Sequence, residues 1–335
     1  MHRRRLLALT AGAVTLVACG EREPAPAASG RTPIRFATDW RAQAEQGGFY
    51  QALATGEYEK AGLDVSIVQG GPGVNVPQLL GSGAVDLGMG SNSFIALNLA
   101  AENVPVKAVA AFMQKDPQVL IAHPDPALRS IADLKGRPFL LGDASVTAFW
   151  VWLKAKYGFT DAQVRKYTFN SGPFLADKRA VQQGYLTSEP YTIQQQAGFT
   201  PRVFLLADEG YPGYAAMVLA PDRLLSSNPD AVRAFNTASK AGWISYLTGD
   251  PRPGDALIRR DNPEMPQDVL DQARAKLVAS NIVGSPAEIG RMTDARWSEF
   301  FEVARSQGVY EPSLDYQRAY TLDYLPQSAP EPASP

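Results

Sequence analysis

Apolar and polar positions alternate between two periods along most of this chain. Ile34–Thr38 has the short apolar pattern of a strand, and Gly48–Ala61 follows as a helix. Leu63–Val68 returns to strand, Pro77–Ser82 is a short helix and Val85–Met89 a short strand. Ser93–Glu102 is a helix that leads to the strand Val106–Phe112. Strand, helix and strand with short joins predict a parallel sheet covered by helices on both faces. The theme repeats further on. Val119–Ala122, Pro138–Leu141, Ala180–Gln183, Gly184–Thr187 and Val203–Leu206 read as strands; Ser130–Lys135 and Thr147–Tyr157 read as helices. From Pro229 the pattern changes to i, i+3, i+4 spacing, which predicts helices over Asp230–Leu247, Pro266–Ser280 and Pro286–Ser306. This helical third is expected to pack around a sheet already built.

Length and charge narrow the classes. A chain of 335 residues suits two domains or lobes, and 45% hydrophobic with 20% charged content is ordinary for a globular protein. The net charge of −2 and the lack of a basic run beyond the N-terminal segment give nucleic acid nothing to bind. After residue 2 the only histidine is His123, so neither HExxH nor a histidine cluster for a metal is present. G-x-S-x-G is absent, and Gly70-Gly71-Pro72-Gly73 lacks the Gly-Lys-Ser/Thr of a phosphate loop. That glycine loop reads as a strand-to-helix turn needing unusual backbone angles, with close approach to a ligand as the alternative. His123, beside Pro124-Asp125-Pro126, reads as a surface turn residue. No catalytic constellation, cofactor motif or metal set emerges.

The N-terminal segment has its own logic. Arg3-Arg4-Arg5, the apolar stretch Leu6–Ala18 and then Cys19 resemble a secretory signal ending in a bacterial lipobox. Arg3–Leu7 also resembles a twin-arginine export signal. The reading is a signal over 1–18 and a lipidated tether over 19–33. Cys19 carries the acyl chains that hold the protein on the periplasmic side of a bacterial membrane, inner or outer. Cys19 is the only cysteine, so lipidation leaves no disulfide. Residues 327–335 read as a disordered tail.

Asp39-Trp40, Gly48-Phe49-Tyr50-Gln51-Ala52, Gly56-Glu57-Tyr58 and Ala61–Val65 come in a telling order. Gly70-Gly71-Pro72, Leu80–Gly88, Asp133–Gly136 and Glu189-Pro190 continue it. Together they resemble ABC-importer solute-binding proteins of the thiamine-pyrimidine-precursor (NMT/THI-like) and sulfonate/taurine-binding superfamily. The resemblance implies an α/β, type II periplasmic-binding-protein fold, with two lobes joined by a hinge and a ligand between them. Lobe 1 would be 34–118 with 215–326, and lobe 2 would be 119–214. It also implies a monomer that hands its solute to an ABC permease, with ATP hydrolysis in a separate ATPase subunit. Two departures matter. Gln46 stands near the place where pyrimidine-precursor binders often carry a histidine. The cysteine-rich motif and substrate histidine of the pyrimidine synthases of that superfamily are missing, which weighs against an enzyme.

A ligand between such lobes meets loops at the carboxyl ends of strands. This makes Asp39, Trp40, Ser91, Asn92, Ser93, Gln114, Asp143, Ser145 and Thr147 candidates by position, and the resemblance adds Gln46. Asn92, Ser93, Ser145 and Thr147 are equally natural helix N-caps. On the helix after Ser145, Phe149, Trp152 and Leu153 share a face; Trp150 lies about 200° from Trp152 and points toward the cleft or a neighbour. Tyr185 and Tyr214 are ligand contacts or hinge packing. Glu189 either accepts hydrogen bonds from a ligand's N–H groups or pairs with Lys178 or Arg179. Aromatics with carboxylates and amides suit a flat, N–H-bearing heterocycle, pyrimidine-like or related. A sulfonate, taurine or nitrate site would favour helix N-termini and cations, although backbone N–H groups alone can hold an anion. A pyrimidine-synthase-like enzyme and a binding module feeding a sensor stand as further alternatives.

Overall fold

The computed structural model describes residues 30–327. The readings on 1–18, on Cys19 and on 328–335 fall outside the described residues. The strands in chain order are β1 (Thr32–Ala37), β2 (Leu63–Val68), β3 (Leu87–Asn92), β4 (Val106–Met113), β5 (Gln118–Ala122), β6 (Phe139–Leu141), β7 (Val164–Lys166), β8 (Val181–Tyr185), β9 (Arg202–Leu205) and β10 (Ala215–Pro221). The principal helices are α1 (Gly47–Ala54), α2 (Val76–Ser82), α3 (Ser93–Ala101), α4 (Phe149–Tyr157), α5 (Glu189–Ala197), α6 (Pro229–Thr248), α7 (Arg252–Asp261), α8 (Gln267–Ala279) and α9 (Asp294–Ser306). The first strand starts at Thr32, so the expected tether gives way to the fold two residues before its expected end.

Two five-stranded sheets result, ordered β2-β1-β3-β10-β4 and β7-β6-β8-β5-β9. This is the two-lobed α/β, type II periplasmic-binding-protein fold. Neither sheet is the purely parallel one that the pattern predicts. β1 runs parallel to β2 and β3, but β10 lies antiparallel between β3 and β4. In the second sheet β6 is parallel to β7 and β8, while β5 is antiparallel to β8 and β9. The cause is topological. The chain leaves the first sheet after β4 and re-enters it only at β10, and an excursion of that kind can set a strand in either direction. β10 (Ala-Ala-Met-Val-Leu-Ala-Pro) is buried along its whole length, as a central strand must be.

Among the described residues only two segments cross between the sheets, 114–117 and 206–214, and Arg296 of α9 holds both. Its guanidinium donates to the Gln114 carbonyl of one crossing and to Pro212 O (2.7 Å) and Gly213 O (2.9 Å) of the other. It also lies 4.0 Å over the Tyr214 ring. A planar cation with five donors can tie two strands of chain in one place.

The helical third packs on the first sheet through a close approach of α6 to α1. A Cβ on Gly242 would sit 2.3 Å from Gly48 O, and one on Gly48 would sit 2.1 Å from the Trp243 ring. Both are glycine because the helices leave no room for a methyl group. Gly242→Ala is therefore expected to destabilise the protein by about 1–3 kcal/mol. Thermal unfolding would register this as a drop of several degrees; an unchanged midpoint would show that the helices separate freely. The contact matters for function because α1 carries the preceding turn, Ala44–Gln46, into the cleft.

Candidate ligand-binding cleft

The carboxyl ends of β1 and β3 in one lobe face those of β6 and β8 in the other, across a cleft of about 250 Å³. Asp39 and Trp40 follow β1. Their loop is fixed by Gly70, whose N–H bonds Trp40 O (3.2 Å) and Thr38 Oγ1 (3.0 Å). A Cβ there would sit 2.3 Å from Thr38 O. Gly70 thus serves close backbone contact, not the unusual backbone angles expected of it.

Asp39 carries the least satisfied group of the cleft. Its Oδ1 is buried with no hydrogen-bond partner. Burial pushes its carboxyl above the usual range, against the pull of the Ser91 and Gln46 side chains. Glu45 is buried on the turn before α1 and accepts a hydrogen bond from the Thr187 hydroxyl of the opposite lobe. Burial drives its carboxyl up to about 7, with Glu189 and Asp39 adding repulsion. Glu189 opens α5 and accepts from Tyr185 N at 2.8 Å; burial raises it too. The Tyr185 phenol is held well above its ordinary value by burial and by the surrounding carboxylates.

Amides and rings complete the lining. Gln118 donates to Gly184 O (2.9 Å), and Gln183 accepts from Gly142 N (2.6 Å). Trp40 and Phe169, from opposite lobes, meet at the mouth with ring centroids 5.6 Å apart. Phe169 is 58% exposed and sits in the left-handed region at φ +59°, an unusual place for a bulky residue. Three carboxylates and no lysine, arginine or histidine line this cleft. Besides Thr187–Glu45, the lobes are bridged by Gln272 Nε2 to Thr187 O (2.5 Å) and Tyr191 OH to Asp268 Oδ2 (2.7 Å). Among the described residues no group of three or more His, Cys, Asp or Glu is arranged to hold a metal ion.

Of the residues expected at a site, Asp39, Trp40, Gln46, Ser91, Asn92, Ser145, Tyr185 and Glu189 meet in this cleft. Asn92 is also the N-cap of α3, accepting from Phe94 N at 3.0 Å. Six others do not line it. Asp143 is exposed and accepts from Lys166 Nζ (2.9 Å), and Thr147 is exposed and donates to Ala144 O (3.2 Å). Ser93 is fully buried, and its Oγ accepts from Tyr214 N (2.9 Å). Gln114 spends its amide on Ala111 O and Arg291 O, both at 3.0 Å. Tyr214 is buried beneath Arg296. Trp150 is core: its Nε1 bonds Asp161 (2.9 Å), and Phe139 and Phe159 pack on its ring. The helical-wheel argument for Trp150 fails because residues 149–153 are buried on every side. His123 is not a surface residue either; it is buried, stacked on Phe174 and bonded to Phe174 O at 2.8 Å. Glu189 pairs with neither Lys178 nor Arg179.

The pattern missed Gln43, Glu45, Gln118, Phe169, Gln183 and Ser188. Gln118 and Gln183 carried a usable signal, since each is an amide inside a buried strand. Glu45, in the short 3-10 turn before α1, and Phe169, in irregular chain, carried none.

Comparison with known proteins follows from this geometry. Residues 43–252 match the family model described as NMT1/THI5 like. The riboflavin-binding protein RibY of Chloroflexus aurantiacus is 26% identical over 235 residues. That match covers 67% of this chain and 66% of RibY, just under two thirds of the relative's length. The periplasmic aliphatic sulphonate binding protein SsuA from Escherichia coli superposes with a TM-score of 0.66 at 14% identity, over 89% of this chain and 92% of that one. A ligand-binding component of an ABC-type import system from Staphylococcus aureus gives 0.65 at 12% identity, over 89% and 99%. These two likenesses show a shared fold.

Proposed function

The chain belongs to the NMT1/THI5-like family, and from that premise we propose that it is the solute-binding component of an ABC importer, taking a flat, uncharged, N–H-bearing heterocycle. It is exported, held at the membrane through Cys19, and passes its solute to a permease after the lobes close. The observation that carries the reading is the cation-free, acid-lined cleft with the unpartnered Asp39 Oδ1. A buried acceptor without a partner costs about 1–3 kcal/mol, which a ligand N–H would recover. The Trp40–Phe169 pair supplies the ring faces on which a heterocycle stacks. The contacts from Thr187 and Tyr191 to the other lobe support closure over the ligand. An anion such as a sulfonate would instead meet three carboxylates and no cation, so the anion reading ranks second.

Riboflavin is the first probe, because RibY is named for it and its ring system carries an imide N–H. Titration into the protein should quench riboflavin fluorescence by stacking and saturate at one site per chain. Trp40→Ala should weaken that binding about tenfold, the loss expected for one aromatic face. Absence of quenching, together with thermal stabilisation by an aliphatic sulfonate, would overturn the heterocycle reading.

A further inference from the structure

A second depression of about 400 Å³ adjoins the cleft and shares Asp39, Met89, Ser91 and Ile95 with it. It is an open trough, and its far wall is one face of α3. Ile95, Asn98, Leu99 and Glu102 follow one another at i, i+3, i+4 and i+7, a run of about 10 Å along the helix. The near wall is the chain entering α2, with Asn75, Val76 and Pro77. The floor is apolar and the rim is polar.

The rim has a definite hydrogen-bonding character. Asn75 Oδ1 caps α2 by accepting from Gln78 N (3.0 Å), and Asn98 Oδ1 accepts from Tyr310 OH (2.6 Å). Each amide therefore has its Nδ2 left to donate, while Glu102 offers only acceptors. Hydroxyl groups, which both donate and accept, match donors and acceptors set along one channel. Anionic groups do not match. The trough contains no lysine, arginine or histidine, and Glu102 and Asp39 stand near its two ends.

Resting on the heterocycle reading above, we propose that this trough holds a neutral, hydroxylated side chain of the ligand, so the protein selects a heterocycle with a polyol tail over the bare ring and over its phosphate ester. Asp39, lying on both depressions, marks the junction where the ring meets the tail.

Three flavins separate the parts of this claim. Lumiflavin keeps the same ring with a methyl group in place of the tail, riboflavin adds a neutral polyol, and flavin mononucleotide ends that polyol in a phosphate. Calorimetric titration of the protein should give riboflavin at least tenfold tighter than lumiflavin, and flavin mononucleotide at least tenfold weaker than riboflavin. Glu102 is the exposed C-cap of α3, so Glu102→Lys should fold normally, and it should narrow the gap between mononucleotide and riboflavin at least threefold. Lumiflavin binding as tightly as riboflavin would overturn the tail site while leaving the ring cleft standing. Mononucleotide binding as well as riboflavin would overturn its neutrality. A Glu102→Lys variant that leaves the gap unchanged would overturn the placement of the tail in this trough. If none of the three binds, the heterocycle reading fails, and this inference with it.

Discussion

Asp39→Asn should weaken riboflavin binding by about 10- to 150-fold while raising the melting temperature of the ligand-free protein. The two effects have one cause. A hydrogen bond to an ionised group contributes about 1.5–3 kcal/mol, and that is lost when the acceptor becomes an amide. The amide would also present N–H to a ligand donor. Without ligand the balance reverses. Asp39 keeps a buried oxygen unpartnered, and burial pushes its carboxyl up, a sign that the ionised form is disfavoured there. An asparagine of the same shape can still accept from Ser91 and Gln46 without that desolvation cost. Titration of riboflavin and thermal unfolding of the same sample test both halves. Unchanged affinity, or a lower melting temperature, would show that Asp39 serves the fold and not the ligand.

The ligand-free protein should also lose stability as pH rises from about 5 to 8. Burial lifts both Glu45 and Asp116 to about 7. Both therefore bind protons more tightly in the folded chain than in the unfolded one. Their contribution to stability is fully present below the ordinary carboxylate range and is lost as pH climbs through 7. For a fully buried carboxyl, a rise of this size corresponds to about 3–4 kcal/mol per group. Many proteins are most stable between about pH 5 and 8; this one should already be declining across that interval. Urea unfolding at pH 5.5 and at pH 8 would measure the slope. Glu45→Gln, which keeps the bond to Thr187, should remove about half of it. A flat or rising profile would mean that water reaches these carboxyls.

The fold class was legible because β1, β2 and β3 are short apolar runs separated by helical spacing, and these local patterns dictate βαβ units. The direction of β5 and β10 was not legible. It depends on where the chain crosses between sheets, and nothing inside Gln118–Ala122 or Ala215–Pro221 encodes it. The break in the helix expected over Gly48–Ala61 comes from Gly56, at φ +73°.

The site divides along the same line. Asp39, Trp40 and Asn92 were found because they follow strands, and strand ends meet at the cleft in any such fold. Trp150 was misread because a helical wheel assumes that one face of each turn is wet, and residues 149–153 of α4 are all buried. Gln114 and Tyr214 occupy the expected positions but serve the crossing that Arg296 secures. Glu45 and Phe169 reach the cleft from a short 3-10 turn and from irregular chain, through the packing of α1 on α6 and a left-handed backbone at Phe169, neither of which has a periodic signature.

The central claim is that a cleft with three carboxylates and no cation binds a neutral heterocycle and not an anion. Calorimetric titration of one protein sample with riboflavin and, separately, with an aliphatic sulfonate tests it most directly. The account predicts a saturable, one-site heat for riboflavin and none for the sulfonate. Saturable binding of the sulfonate with no heat from riboflavin would contradict it.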